Sequence, residues 1–271
     1  MSATLPIVLS VTSGKGGVGK TNLSVNLALC LSRLGKRCVI LDADLGLANV
    51  DVVLGLTPEK NLFHVFHEGV SLNDILHPTD HGFSILPAAS GVSGMLSLTT
   101  GQKLELLEAM DVLEDSIDFL IVDTGAGINE NVLYFNLAAQ DRLLVVTPEP
   151  TSLTDAYALI KVLNLRHGVD TFHIVVNMAA SEKSAKDIFA KLYNACDHFL
   201  SGISLNFVGS VPQDPAVRQA VIRQQPFCSL NPGAEASKAM LGIARKIAQW
   251  KPQDHLDGNI KFFWKKLLFA E

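Results

Sequence analysis

The chain has 271 residues, 48% of them apolar and 18% charged, which is ample material for a buried core and excludes a wholly disordered chain. Its formal charge of −5, from 22 basic and 27 acidic residues, disfavours general binding to nucleic acid, whose backbone carries the same sign. Cys30, Cys38, Cys196 and Cys228 include no C-x-x-C pair, so zinc, iron–sulfur and dithiol chemistry lack support and reduced thiols in the cytosol are expected.

Met1 to Pro6 shows no basic region followed by a long apolar run, so no signal peptide is expected. Ile7 to Thr12 is apolar, rich in β-branched residues and followed by glycines, which predicts a buried strand. Asn22 to Leu34 repeats apolar residues at helical spacing through Leu23, Leu27, Leu31 and Leu34, with Gly35 as the stop. Further strand-like runs are Cys38 to Leu41, Phe119 to Val122, Leu143 to Val146, Phe172 to Val176 and Phe207 to Val211. Helical patterns lie between most of them, at Leu104 to Leu113, Thr154 to Leu165 and Ala185 to Phe199. This alternation predicts an α/β fold with a doubly wound, mostly parallel sheet and helices on both faces. Ligands of such sheets sit beyond the carboxyl ends of the strands, where Asp42, Asp123, Thr147 and Asn177 fall. Residues 1–250 read as one domain and 251–271 as a polar linker with a short tail. No stretch approaches the ~20 apolar residues of a spanning helix.

Gly14-Lys15-Gly16-Gly17-Val18-Gly19-Lys20-Thr21 matches G-x-x-x-x-G-K-[ST], with the required strand before it and helix after it. Glycines let backbone N–H groups converge on phosphate oxygens, and the helix start at Asn22 adds its positive dipole end. Lys20 is expected to reach the β- and γ-phosphates of ATP and Thr21 to bind Mg²⁺. A glycine-rich turn with a chance lysine is the competing reading, and the strand–loop–helix context disfavours it. Lys15, inside the loop, is either an exposed cation or a charge aimed at phosphate. Asp42 and Asp123, at strand ends, suit the Mg²⁺ shell, and Asp44 could orient the attacking water. Each of these aspartates could instead serve as a turn or helix cap.

Lys15 to Thr21 resembles the deviant Walker A motif of the MinD/ParA family of P-loop ATPases, marked by its extra lysine. Leu41 to Asp51 resembles that family's switch I, and Val122 to Gly127 its Walker B and switch II segment. Pro87-Ala88-Ala89-Ser90-Gly91 and Pro148 to Tyr157 resemble the flagellar-number regulators of the FlhG/FleN type. The resemblance spans about residues 7 to 250. It implies a slow, switch-like ATPase that forms a homodimer around two ATP molecules, with Lys15 reaching the partner's phosphates. It implies that Asp44 positions water and that Thr21, Asp42 and Asp123 support Mg²⁺. It places Asn177, Pro212 and Asp214 beside the base and Glu149 near the nucleotide at the dimer interface. The implied partners are a flagellar transcription activator or an FlhF-type GTPase. Few residues precede the first strand and no GTPase-activating helix is visible there, which favours restraint of the activator. Switch II carries Gly125 where relatives often have alanine.

In the tail, Ile260, Phe263, Trp264, Leu267 and Leu268 share one face at 100° per residue, with Lys261, Lys265 and Lys266 outside it. This is the pattern of an amphipathic helix lying on an anionic membrane, and it predicts peripheral attachment to the inner membrane through residues 259–271. Docking on the protein's own core or on a partner subunit is the alternative. Other readings of the whole chain are a MinD-type division-site ATPase, a ParA-type DNA-partitioning ATPase, opposed by the acidic balance and by Leu45-Gly46-Leu47, and an iron–sulfur carrier, opposed by the cysteine pattern.

Overall fold

The computed structural model describes residues 5–88, 98–252 and 261–263. Its first strand, β1 (Ile7–Ser13), sets the layering by simple alternation. Ile7, Leu9 and Val11 enter one core and Val8 the other, as a strand buried on both faces requires. The chain continues through α1 (Lys20–Arg33), β2 (Cys38–Ala43), α2 (Val50–Leu54), α3 (Leu62–Glu68), α4 (Leu72–Ile75), β3 (His77–Pro78) and β4 (Ser84–Leu86). Then come α5 (Thr100–Ala109), β5 (Phe119–Ala126), α6 (Glu130–Ala138), β6 (Asp141–Val146), α7 (Pro150–His167) and β7 (Thr171–Ala179). The last elements are α8 (Glu182–Phe199), β8 (Ser204–Pro212), α9 (Pro215–Ile222), α10 (Phe227–Leu230) and α11 (Glu235–Ile247).

The strands form one sheet in the order β3-β4-β2-β5-β1-β6-β7-β8. All pairings are parallel except that of β3 with β4. From β1 the chain runs outward to β2 on one side and later to β6 on the other, so the strand order reverses at β1 and opens a crevice at its carboxyl end. On one face, Leu23, Leu27 and Leu31 of α1 share a core with Met240, Ile243 and Ile247 of α11. The opposite face holds one apolar cluster under α3 to α6 and another under α7 and α8. The mostly parallel, two-faced sheet expected from the sequence is the one observed.

All six expected runs are strands, and the helical patterns fall within α1, α5, α7 and α8. The pattern of Leu104 to Leu113 ends in a 3₁₀ turn, Met110–Leu113, rather than in one continuous helix. All four cysteines are free and buried.

The tail differs from its expectation at the residues described. Phe262 and Phe263 form a turn, with Phe263 in the left-handed region at φ 59°, and both, like Lys261 before them, are buried on the protein itself. The end of α6 explains this. Its last carbonyls lack helical partners. The Phe262 N–H donates to Ala138 O at 2.9 Å, and Lys261 Nζ donates to Leu137 O at 2.9 Å and Ala139 O at 3.1 Å. A cation suits the negative end of a helix dipole, so Lys261 turns inward instead of joining a polar outer face. Residues 259, 260 and 264–271, like Ala89, Ser90 and Gly91, lie outside the described residues.

Candidate nucleotide and metal site

The loop between β1 and α1 is held by close backbone packing. A Cβ on Gly14 would stand 2.1 Å from the Asp155 carbonyl of α7, so only glycine lets the loop lie against that helix. Gly19 has φ 91°, and a Cβ there would meet Asn177 Nδ2 at 2.5 Å. Gly16 and Gly17 have open space where a Cβ would stand, which leaves the backbone free to approach phosphate. Ser13 Oγ donates to Lys15 O at 2.7 Å, and Asn177 Nδ2 donates to Val18 O at 2.8 Å, bracing the loop from both ends.

Lys20, Thr21, Asp42, Asp44 and Asp123 converge at the carboxyl ends of β2 and β5. Asp42 and Asp123 are register partners on these adjacent strands and both are buried. Burial, and then the neighbouring Asp123, holds the Asp42 carboxyl well above the usual carboxylate range. Burial pushes Asp123 up to about 6 against opposing hydrogen bonds from Thr21 and Ser24. Burial also raises Asp44. Lys20 is buried too; that burial lowers its pKa, and the charges of Asp123 and Asp44 work against the shift.

The Asp42 carboxylate is already engaged. Oδ1 accepts from the Asp44 N–H at 3.2 Å, and Oδ2 accepts from the N–H groups of Asn49 and Val50 at 3.0 Å each. It therefore organises the segment joining β2 to α2. The Thr21 hydroxyl and the carboxylates are hard oxygen donors, the set that suits Mg²⁺. Among the described residues no three His, Cys, Asp or Glu side chains form a metal cage. A cation here would share protein oxygens with phosphate and water, which is how Mg²⁺ is ordinarily held.

Beside the loop lies a cavity of about 810 Å³, lined by Gly17, Gly19, Asn22, Asn177, Pro212 and Asp214 among others. It is large enough for a nucleoside. Asp214 shapes its wall: Oδ1 accepts from Ala216 N at 2.9 Å and caps α9, and Oδ2 accepts from Ala236 N at 3.1 Å at the start of α11. Glu149 does not line this cavity. It sits at the N-cap of α7 and reaches the site through Lys15, whose Nζ donates to its carboxylate and, at 2.9 Å, to Thr151 Oγ1. Of the expected residues, Lys20, Thr21, Asp42, Asp44 and Asp123 thus form one cluster, and Asn22, Asn177, Pro212 and Asp214 a second beside it.

Ser24 and Thr151 are absent from the sequence expectations. Ser24 Oγ donates to Asp123 Oδ1 at 2.8 Å. Its spacing, three residues beyond Thr21 on one helix, puts both hydroxyls on the same face and could have marked it.

A protein-family model, ParA, described as NUBPL iron-transfer P-loop NTPase, matches residues 5–248. Antiactivator FleN of Pseudomonas aeruginosa is 47% identical over 261 residues, covering 96% of this chain and 93% of that protein. The flagellum site-determining protein YlxH of Helicobacter pylori is 29% identical, covering 96% of this chain and 89% of that protein. The solved structure of the cell division ATPase MinD of Pyrococcus furiosus superposes with a TM-score of 0.74 at 27% identity, covering 89% of this chain and 98% of that one.

Proposed function

This chain belongs to the ParA/MinD family of P-loop NTPases, and we propose that it is a slow, ATP-controlled switch that regulates flagellar number and placement. The observation that carries the reading is the convergence of Lys20, Thr21, Asp44 and Asp123 at the end of the phosphate loop, in a chain 47% identical to an antiactivator. The loop backbone and Lys20 hold the phosphates of ATP. Mg²⁺, when bound, would supply charge that neutralises the phosphates. Thr21 gives it a direct ligand, Asp123 supports that shell, and Asp42 keeps switch I folded beside it. Asp44 orients the attacking water. Asn177 and Pro212 receive the base in the neighbouring cavity, whose wall Asp214 fixes.

ATP favours a homodimer in which Lys15 leaves its own chain and reaches the partner's phosphates. The dimer holds a flagellar transcription activator and restrains it, the role that the name of the P. aeruginosa relative supports, and hydrolysis releases it. The tail attaches the dimer to the inner membrane at the cell pole. No helix among the described residues is long and apolar enough to cross a membrane, and Lys261, Phe262 and Phe263 are buried on α6, so attachment rests on the remaining tail sequence, Ile260, Trp264, Leu267 and Leu268 with Lys265 and Lys266. Deleting residues 259–271 is expected to abolish liposome binding.

Size-exclusion chromatography with ATP tests the switch. Asp44→Ala should trap a dimer, whereas Lys15→Ala and Lys20→Ala should prevent one. A monomer under every condition would overturn the switch while leaving nucleotide binding intact.

A further inference from the structure

We propose that Ser24 is a positioning residue for the magnesium-dependent part of nucleotide binding, acting through Asp123. The inference rests on reading Asp123 as part of the Mg²⁺ shell. Ser24 is wholly buried in α1, one turn beyond Thr21, and its hydroxyl spends its single proton on Asp123 Oδ1 at 2.8 Å. A helical serine ordinarily turns that proton to the carbonyl four residues back. Here it is aimed instead across the core at the end of β5.

Asp123 needs such a donor. It is 1% exposed, its register partner on β2 is another carboxylate, and the cation near it, Lys20, is claimed by the phosphates once ATP is bound. Thr21 also hydrogen-bonds Asp123, but its oxygen is the one a Mg²⁺ ion takes as ligand. The Ser24 bond involves no atom that the metal or the nucleotide uses, so it can persist through binding and hydrolysis. It fixes the rotation of the Asp123 carboxylate. It also ties that carboxylate to the helix carrying Thr21, so that the two metal-supporting groups keep one geometry.

Two variants and their reversal test this. Ser24→Ala removes the donor, Ser24→Cys keeps the bulk with a weaker donor, and Ser24→Thr restores the hydroxyl. The readout is the affinity of the full chain for a fluorescent, non-hydrolysable ATP analogue in EDTA and across a Mg²⁺ titration. In EDTA, Ser24→Ala and Ser24→Cys should bind within about twofold of wild type. Their Mg²⁺ half-saturation should rise by about tenfold, the size of one lost hydrogen bond to a charged group. Ser24→Thr should return it to the wild-type range.

A purely structural strap between α1 and β5 would lower affinity equally with and without Mg²⁺. That result, or an unchanged Mg²⁺ titration in both variants, would overturn the inference. If wild type itself gains no affinity from Mg²⁺, the underlying reading of Asp123 fails rather than the role of Ser24 alone.

Discussion

Lys15 is held by its own chain: its ammonium donates to the Glu149 carboxylate at the N-cap of α7, and at 2.9 Å to Oγ1 of Thr151, the second residue of that helix. A lysine that serves a second subunit must first leave these partners. The pair is weakly held, because the two side chains are 35% and 59% exposed and solvent screens such contacts. Glu149→Gln removes the charge partner and leaves the helix start in place. The ATP-dependent dimer should then form at a protein concentration lower by roughly two- to fivefold, as sedimentation velocity with ATP would record. A requirement for more protein would assign Glu149 to the assembled nucleotide site, with no restraining role.

The buried carboxylates make the nucleotide-free protein sensitive to pH. Asp123 titrates at about 6 in the folded chain, against about 3.9 for an ordinary aspartate. Folding therefore tightens its hold on the proton. The resulting stability is fully present below about pH 4 and is lost as pH rises through about 6. A shift of about two units corresponds to about 3 kcal/mol, and Asp42, raised by burial and by Asp123, acts in the same direction. In EDTA without nucleotide, the melting temperature should fall between about pH 5 and pH 7.5, and Asp123→Asn should flatten that fall. Parallel slopes for the two proteins would show that another group titrates.

The sheet was legible because buried parallel strands are continuous apolar runs: Leu143 to Val146 could hardly be anything else. β4, only Ser84–Leu86, was not, since three residues give no period to read. The placement of the glycine loop and of Asp42 and Asp123 beside it was legible because it follows from residue type and spacing along the chain. What Asp42 and Asp214 do with their oxygens was not. Their partners are backbone N–H groups, which every sequence has everywhere, and only the fold brings Asn49, Val50, Ala216 and Ala236 to them. The tail was misread at Lys261 for a related reason. A lysine outside an apolar stripe resembles a headgroup ligand until the open carbonyls of α6 are set beside it.

Two glycines of the loop should behave oppositely. Gly14→Ala forces a methyl to 2.1 Å from the Asp155 carbonyl, and backbone cannot yield as a flexible side chain would. It should cost about 3 kcal/mol or more of stability and weaken nucleotide binding with it. Gly16→Ala meets nothing within 4 Å, so its melting temperature should match wild type while the added methyl hinders phosphate approach. Denaturant melts beside ATP-analogue titrations separate the two. Equal destabilisation by both substitutions would contradict the packing of Gly14 on α7.

Phe262 links the tail to the helix that follows switch II. Its ring is fully buried in the cluster that contains Phe135 of α6 and Leu106 of α5, and its N–H donates to Ala138 O at 2.9 Å. Phe262→Ala keeps the backbone bond and empties the ring's site, so the cost should be about 3 kcal/mol, the ordinary penalty for a phenylalanine cavity. Lys261→Met tests the neighbouring contact separately. It keeps most of the stem and removes the ammonium, leaving the carbonyls of Leu137 and Ala139 without that donor, so it should cost about 1 to 2 kcal/mol. If these residues anchor the tail to α6, both variants should also expose the tail to protease in the absence of nucleotide. Urea denaturation and limited trypsin digestion of the full-length chain give the two readouts. A Phe262→Ala protein as stable and as protease-resistant as wild type would mean that the tail does not rest on α6 in solution.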